Sequence, residues 1–119
     1  MRLEFYRDDL GEPRVRAPHG RELLGRYLEG DLQTDVRHAR RIVHAIDRVA
    51  AGELPSFSET GNGHTLTLTP AGAVVESEVD ERAPALALPL ADLRAAVGAW
   101  IAFLETGAGA PPRPAGPAG

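Results

Sequence analysis

The clearest pattern of apolar positions in this chain runs through residues 31–52. Apolar side chains recur there at steps of three and four residues, which places them along one side of an α-helix. Asp31 can cap the amino end by accepting a hydrogen bond from a free amide, and Gly52 suits the left-handed turn beyond the carboxyl end. The pattern therefore predicts a central helix that begins at Asp31, ends at Gly52 and lies across a β-sheet. Its apolar stripe consists of Leu32, Val36, Ala39, Ile42, Val43, Ile46, Val49 and Ala50.

Alternation of apolar and polar residues predicts strands on both sides of the central helix. Before it, the pattern predicts a hairpin over residues 2–16, with a turn at residues 8–11, and then a short helix over residues 21–29. After it, Gly61, Asn62 and Gly63 form a tight-turn signal between two strands. The strands predicted in this second half cover residues 56–60, 64–69, 73–79 and 85–88.

A second apolar stripe predicts the last helix, over residues 91–105. Trp100 lies on that stripe, so we expect it to be buried. From Gly107 to Gly119 the chain is almost entirely Gly, Ala and Pro, a composition typical of a disordered tail. The sequence thus predicts a single α+β domain over residues 1–106. We expect an antiparallel sheet of about five strands, with a central helical pair and a C-terminal helix packed on it.

Length and charge narrow the class of protein. At 119 residues the chain is long enough for one domain with one core. Its formal net charge of −4 repels nucleic acid and does not attract an anionic membrane surface. No Cys is present, which excludes disulfides, thiol nucleophiles and thiolate metal sites. No apolar run approaches the ~20 residues that span a bilayer, and the charged amino terminus is unlike a signal peptide. These features predict a cytoplasmic protein.

The four histidines are the candidates for metal binding or acid–base chemistry. His38 and His44 are six residues apart on the predicted helix, so they lie on different faces and cannot form a helical pair of metal ligands. His19 and His64 adjoin glycines in predicted turns, where we expect solvated side chains. The serines lack the strand–turn–helix context of a nucleophile. We therefore expect no catalytic residue, no metal and no cofactor.

Arginines form a stripe on the polar side of the central helix. Arg37, Arg41 and Arg48, together with His44, could contact phosphate groups or an acidic partner. Asp47 interrupts the positive charge, and the pattern favours a solvated helix face.

Acidic residues are concentrated where the predicted strand 73–79 ends. Glu76, Glu78 and Asp80 are two residues apart and would point to one face of a strand, with Glu81 beside them. Neighbouring like charges in such a row repel one another. The row either protects an exposed sheet edge from pairing or forms a docking surface for a basic protein. In the second case all four carboxylates are candidate partner-binding residues.

Two segments of the chain resemble a known family. The residues concerned are Glu4-Phe5-Tyr6-Arg7-Asp8, Gly11, Arg14-Val15-Arg16, Gly20, Glu22 and Gly25 in the first segment, and Gly61 with Thr65-Leu66 in the second. They resemble the bacterial YacL family of small uncharacterised proteins, in which an EF-x-RD strand, a glycine turn, another strand and a helix beginning G-x-E follow in order. The resemblance departs at the acidic segment and in the tail. That family has no established catalytic residue, so the resemblance implies none here.

Domains of this kind are also similar to immunity proteins of bacterial contact-dependent growth inhibition and related polymorphic toxin systems. That similarity implies a protein that binds and neutralises one cognate toxin, often a nuclease, by presenting a charged face to its basic active site. The alternative is a YacL-like housekeeping protein that acts as a protein- or nucleic-acid-binding module. A toxin gene directly upstream would favour immunity, whereas an isolated gene would favour the housekeeping role.

Overall fold

The computed structural model describes residues 2–107, in which strands and helices are interspersed. The strands are β1 (Glu4–Arg7), β2 (Pro13–Arg16), β3 (Phe57–Thr60), β4 (His64–Thr69), β5 (Gly72–Ser77) and β6 (Leu86–Leu88). The helices are α1 (Glu22–Tyr27), α2 (Val36–Ala50) and α3 (Leu90–Thr106), and a π-helical turn (Leu28–Leu32) continues α1. This arrangement confirms the predicted α+β class. Over residues 2–107, no helix has both the length and the apolar composition that crossing a membrane requires.

The strands form two antiparallel sheets, so the prediction of one sheet with about five strands is wrong. β1 pairs with β2, while β3, β4, β5 and β6 lie side by side in that order. The backbone N–H of Val15 in β2 donates to the Glu29 carboxylate at 2.6 Å, and Arg14 forms an ion pair with the same carboxylate at 3.3 Å. Because Glu29 occupies an amide that a further strand would need, the hairpin ends as a separate two-stranded sheet.

The core lies between the helices and one face of the four-stranded sheet. Alternation along β4 buries His64, Leu66 and Leu68 on that face, while the intervening threonines are partly exposed on the other. Val75 of β5 lies opposite Leu66 and is also fully buried. The period-two pattern thus separates a covered face, packed against the helices, from an open face that carries small polar side chains.

The central helix begins at Val36, and the prediction that Asp31 caps it is wrong. Asp35 is the cap, since its carboxylate accepts a hydrogen bond from a backbone amide of the first turn at 3.0 Å. Asp31 lies instead in the π-helical turn, in which the Gln33 amide donates to the Leu28 carbonyl at 2.8 Å. Gln33 then leaves the helical path with a φ of 52°. The two helices are therefore joined through a distorted turn rather than by a simple cap.

The last helix brings Trp100 into the core, where it is fully buried as predicted. Its indole N–H donates to the Gln33 carbonyl at 2.8 Å. Past the ends of α2 and α3, Gly52 and Gly107 have positive φ values of 79° and 73°. The prediction for Gly52 is confirmed, whereas Gly107 belongs to the helix end rather than to the tail. The predicted disorder of residues 108–119 lies outside the described residues.

Candidate functional site

Two acidic side chains lie together on the open face of the four-stranded sheet. Glu76 is in β5, opposite Thr65 of β4. Glu78 follows β5 and accepts a hydrogen bond from the Thr65 hydroxyl at 2.6 Å. The Thr60 hydroxyl of β3 lies 2.8 Å from that of Thr65, so Thr60 donates to Thr65, which in turn donates to Glu78. This relay of hydroxyls holds the Glu78 carboxylate next to Glu76, above a floor of small polar residues.

The other two acidic candidates leave the sheet. Because β5 ends at Ser77, the prediction that Asp80 continues the row on one strand face is wrong. The Ser77 hydroxyl accepts hydrogen bonds from two following amides, including that of Asp80 at 3.0 Å, which turns the chain. Asp80 accepts a hydrogen bond from the Arg82 amide at 3.0 Å and lines a cleft against α1. Glu81 lies between Asp80 and Arg82 in this turn and is exposed.

The four acidic side chains are exposed and unpaired within the described part of the chain. Within residues 2–107, Glu76, Glu78, Asp80 and Glu81 form no ion pair. All four are exposed. Their mutual repulsion is therefore left to water and dissolved ions rather than to an arginine of the same chain.

The arginine stripe on α2 is partly neutralised. Arg48 forms an ion pair with Glu53 at 3.5 Å. Asp47 forms a two-bond pair with Arg94 of α3, at 2.7 and 3.1 Å, and the Arg94 guanidinium holds the pKa of Asp47 below its usual range. Paired charges of both signs on this surface support the interpretation of a solvated helix face.

A buried hydrogen-bond network joins the π-helical turn to the β3–β4 hairpin. His64 Nδ1 lies 2.8 Å from Asp31 Oδ1, and the two side chains are 8% and 2% exposed. The same carboxylate accepts hydrogen bonds from the backbone amides of Gly63 and His64, each at 3.2 Å. The prediction that His64 is solvated is therefore wrong. Strand parity could have shown this, since His64 is two residues from the buried Leu66.

The Asp31–His64 network also supports the acidic surface. The Gly63 carbonyl accepts a hydrogen bond from the Glu78 amide at 2.8 Å, so Asp31 acts on Glu78 through one residue. A Cβ at Gly61 would lie 2.3 Å from Asp31 Oδ2, which explains a glycine at this position. Both side chains of the network are nearly inaccessible, so the network holds the turn from inside the domain.

Tyr27 lies against this network. Its ring meets that of His64 edge-on, with ring centroids 6.2 Å apart. In the described part of the chain, its hydroxyl is the one buried side-chain polar atom that lacks a hydrogen-bond partner. Burial raises the pKa of the Tyr27 hydroxyl far above its usual range, and the negative charges of Glu59 and Asp31 raise it further. Glu59 in turn forms a 2.6 Å hydrogen bond with His38 of α2.

Metal coordination receives no support from the arrangement of the side chains. In residues 2–107, no group of three or more histidines and carboxylates is placed so that it could hold a metal ion.

The family of the chain was identified by comparison with known proteins. The model of an uncharacterised protein family, UPF0231, matches residues 1–85. The chain belongs to this family. The match agrees with the YacL-like resemblance of the sequence motifs and carries nothing about toxin immunity. No curated protein and no solved structure matched the chain.

The UPF0231 match covers both parts of the candidate site. The Asp31–His64 network and the residues from Glu76 to Glu81 all fall within residues 1–85. β6 and α3, which complete the covered side of the sheet, lie beyond the match.

Alkaline unfolding should report the buried Tyr27 hydroxyl. In the unfolded chain a tyrosine ionises near pH ~10, whereas the folded protein keeps Tyr27 neutral to a higher pH. The unfolded state then binds fewer protons, so stability falls as pH rises from the unfolded pKa towards the folded one. We expect Tyr27→Phe to remove this part of the loss. At pH 7 the variant should be within about 1 kcal/mol of the wild type, because the hydroxyl has no partner to lose.

Urea unfolding of both proteins at pH 7, 9, 10 and 11 measures this difference. The two stability curves should separate above pH 10, with Tyr27→Phe the more stable. Parallel curves across the whole range would contradict the raised pKa.

Proposed function

We propose that this UPF0231 protein is a non-catalytic binding protein that docks a basic protein on the acidic surface formed by Glu76, Glu78, Asp80 and Glu81. The observation that carries the proposal is the placement of Glu76 and Glu78. They lie side by side on the open sheet face and make no ion pair within residues 2–107. A cationic partner would relieve the repulsion between them.

The surroundings of these carboxylates suit a protein partner. The floor beside them consists of threonine hydroxyls on a sheet face that the helices leave open. Small side chains allow a partner to approach the backbone closely, and the hydroxyl relay fixes Glu78 before the partner arrives. Complementary fields chiefly raise the association rate and reject partners of the wrong charge.

The finer form of the proposal is a toxin-neutralising immunity protein. A nuclease active site holds phosphate and is therefore cationic, so a pair of carboxylates can imitate the charge of its substrate. The alternative is a YacL-like housekeeping protein whose acidic surface binds another basic protein. A toxin gene directly upstream of this gene is the result expected for immunity. An isolated gene would remove that form of the proposal and leave the docking surface to be tested by itself.

Charge reversal tests the surface. With the adjacent toxin domain as partner, we expect Glu76→Arg with Glu78→Arg to slow association at least about tenfold at low salt. The variant should also lose most of the salt dependence, because screening then has little attraction to weaken. Stopped-flow association at several ionic strengths measures both effects.

The chain offers a matched control for this experiment. Asp9→Arg with Glu12→Arg changes the net charge by the same amount, at exposed positions of the β1–β2 hairpin. The control variant should associate nearly as fast as the wild type, and circular dichroism should show that both variants are folded. Equal slowing by both pairs would mean that net charge alone matters, and the acidic surface would not be the docking site.

A further inference from the structure

A cleft of about 360 Å³ lies between α1 and the connection from β5 to β6. Its volume is near the lower end of the range found for small-molecule sites. Its lining includes Glu22, Leu23, Arg26, Asp80, Pro84 and Leu86. They come from two segments that are far apart in the sequence and meet along the rim of the domain.

The cleft presents charges of both signs that are open to a ligand. Arg26 forms no ion pair within residues 2–107, and its charge acts on the Glu22 carboxylate without a direct bond. Asp80 is fixed by the turn, since its Oδ1 accepts the Arg82 amide at 3.0 Å, while no partner within residues 2–107 occupies its Oδ2. Glu22, by contrast, is less available to a ligand, because its Oε1 already accepts a hydrogen bond from the Gly20 amide at 2.8 Å. One guanidinium and one carboxylate oxygen thus remain for a ligand.

The rest of the cleft is apolar. Leu23 and Leu86 are 7% and 8% exposed at its base, and Pro84 forms part of its wall. A ligand that pairs with the charges at the rim would therefore place a hydrocarbon part against these side chains.

We propose that this cleft binds a small zwitterion, a free α-amino acid, with its carboxylate on Arg26 and its ammonium on Asp80. A guanidinium binds a carboxylate through two parallel hydrogen bonds, and the free Asp80 oxygen accepts one from the ammonium. A purely cationic ligand would be repelled by Arg26, and a purely anionic one by Asp80 and Glu22. Asp80 belongs both to this cleft and to the proposed docking surface, whereas Glu76 and Glu78 do not line the cleft and are not needed for amino-acid binding.

Titration of the full chain with four amino acids tests the proposal. The probes are L-alanine, L-leucine, L-glutamate and L-arginine, followed by two-dimensional NMR of the backbone amides. We expect saturable shifts at Gly20 and Arg82 for at least one probe, with a dissociation constant on the order of 1 mM, because exposed ion pairs are weak. No saturable shift with any of the four probes would overturn the proposal.

Derivatives of the amino acid that binds most tightly test the ammonium and the carboxylate one at a time. Its N-acetyl form lacks the ammonium and its amide lacks the carboxylate, and each should bind at least about fivefold more weakly. If the amide binds as tightly as the parent amino acid, the cleft recognises only a cation, and the zwitterion proposal is wrong.

Two variants locate the binding. Arg26→Gln and Asp80→Asn should each weaken the parent amino acid by a similar factor, and Asn keeps the oxygen that accepts the Arg82 amide. Arg82→Gln and Asp9→Asn remove the same charges outside the cleft lining and should leave binding unchanged. Shifts that persist in both cleft variants would place the ligand elsewhere and overturn the assignment.

Discussion

Asp31→Ala should destabilise this protein by about 3–5 kcal/mol, the usual cost of removing one member of a buried polar pair. The substitution leaves the His64 ring and the backbone amides of Gly63 and His64 without their acceptor, in a region where the Asp31 and His64 side chains are 2% and 8% exposed. Since a domain of this size has ~5–15 kcal/mol of stability in total, the melting temperature should fall by more than ~10 °C. Urea unfolding followed by circular dichroism measures the loss.

A second substitution identifies the Asp31 carboxylate as the cause. In the wild type, Gly61→Ala would place a Cβ 2.3 Å from Asp31 Oδ2 and should be clearly destabilising. In Asp31→Ala the nearest atom would be the Asp31 Cβ position, at 3.5 Å, which is an ordinary contact. Gly61→Ala should therefore cost much less in the Asp31→Ala background. Additive losses would show that the carboxylate is not packed against the turn.

The position of Asp31 could not be predicted from the apolar pattern alone. Apolar periodicity predicted α2 and its final Gly52, because the stripe on one face persists for four turns. It could not predict the π-helical turn, in which buried Leu28 and Leu32 keep a spacing of four residues that an α-helix also has. The same spacing made Leu32 part of the central helix and Asp31 its cap. Only the contact with the distant Gly61–Gly63 turn distinguishes the two arrangements.

The individual strands were predicted from the sequence, but their division into two sheets was not. Alternation correctly gave β4 and its partners, since a strand with one covered face has a period of two. The β1–β2 hairpin stays separate from the larger sheet because Glu29 accepts a hydrogen bond from an amide at the edge of β2. Glu29 is distant in the sequence and is not part of any periodic pattern. Long-range polar contacts of this kind leave no local signal.

The sequence predicted which residues form the acidic surface but only part of their arrangement. Glu76 and Glu78 share the open face, as the strand period requires. Ser77 ends the strand because its hydroxyl accepts the amides that follow, so Asp80 turns to the cleft beside α1. A serine near the end of a predicted strand is a weak signal, since it is equally compatible with a longer strand. Whether the four carboxylates bind a partner stays a prediction.

Trp100→Ala should cost about 3–5 kcal/mol of stability, the range for removing a large aromatic side chain from a core. Trp100 is fully buried, and its ring centroid lies 5.9 Å from that of Phe5 and 6.1 Å from that of Phe103. The contact with Phe5 joins the β1–β2 hairpin to α3, so its loss should also loosen the hairpin. Urea unfolding of the variant by circular dichroism gives the cost. The emission maximum of the single tryptophan in the folded wild type should be that of a buried indole.

Trp100→Phe separates packing from hydrogen bonding. It keeps an aromatic ring near Phe5 and Phe103 but removes the N–H that donates to the Gln33 carbonyl at 2.8 Å. Gln33 is the one non-glycine residue within residues 2–107 with a positive φ, a conformation that costs about 1–3 kcal/mol and persists only where its surroundings hold it. If packing dominates, Trp100→Phe should retain most of the stability that Trp100→Ala loses. If the two variants lose the same amount, the indole bond to the strained Gln33 carries the effect, because that bond also fixes the turn that positions Asp31.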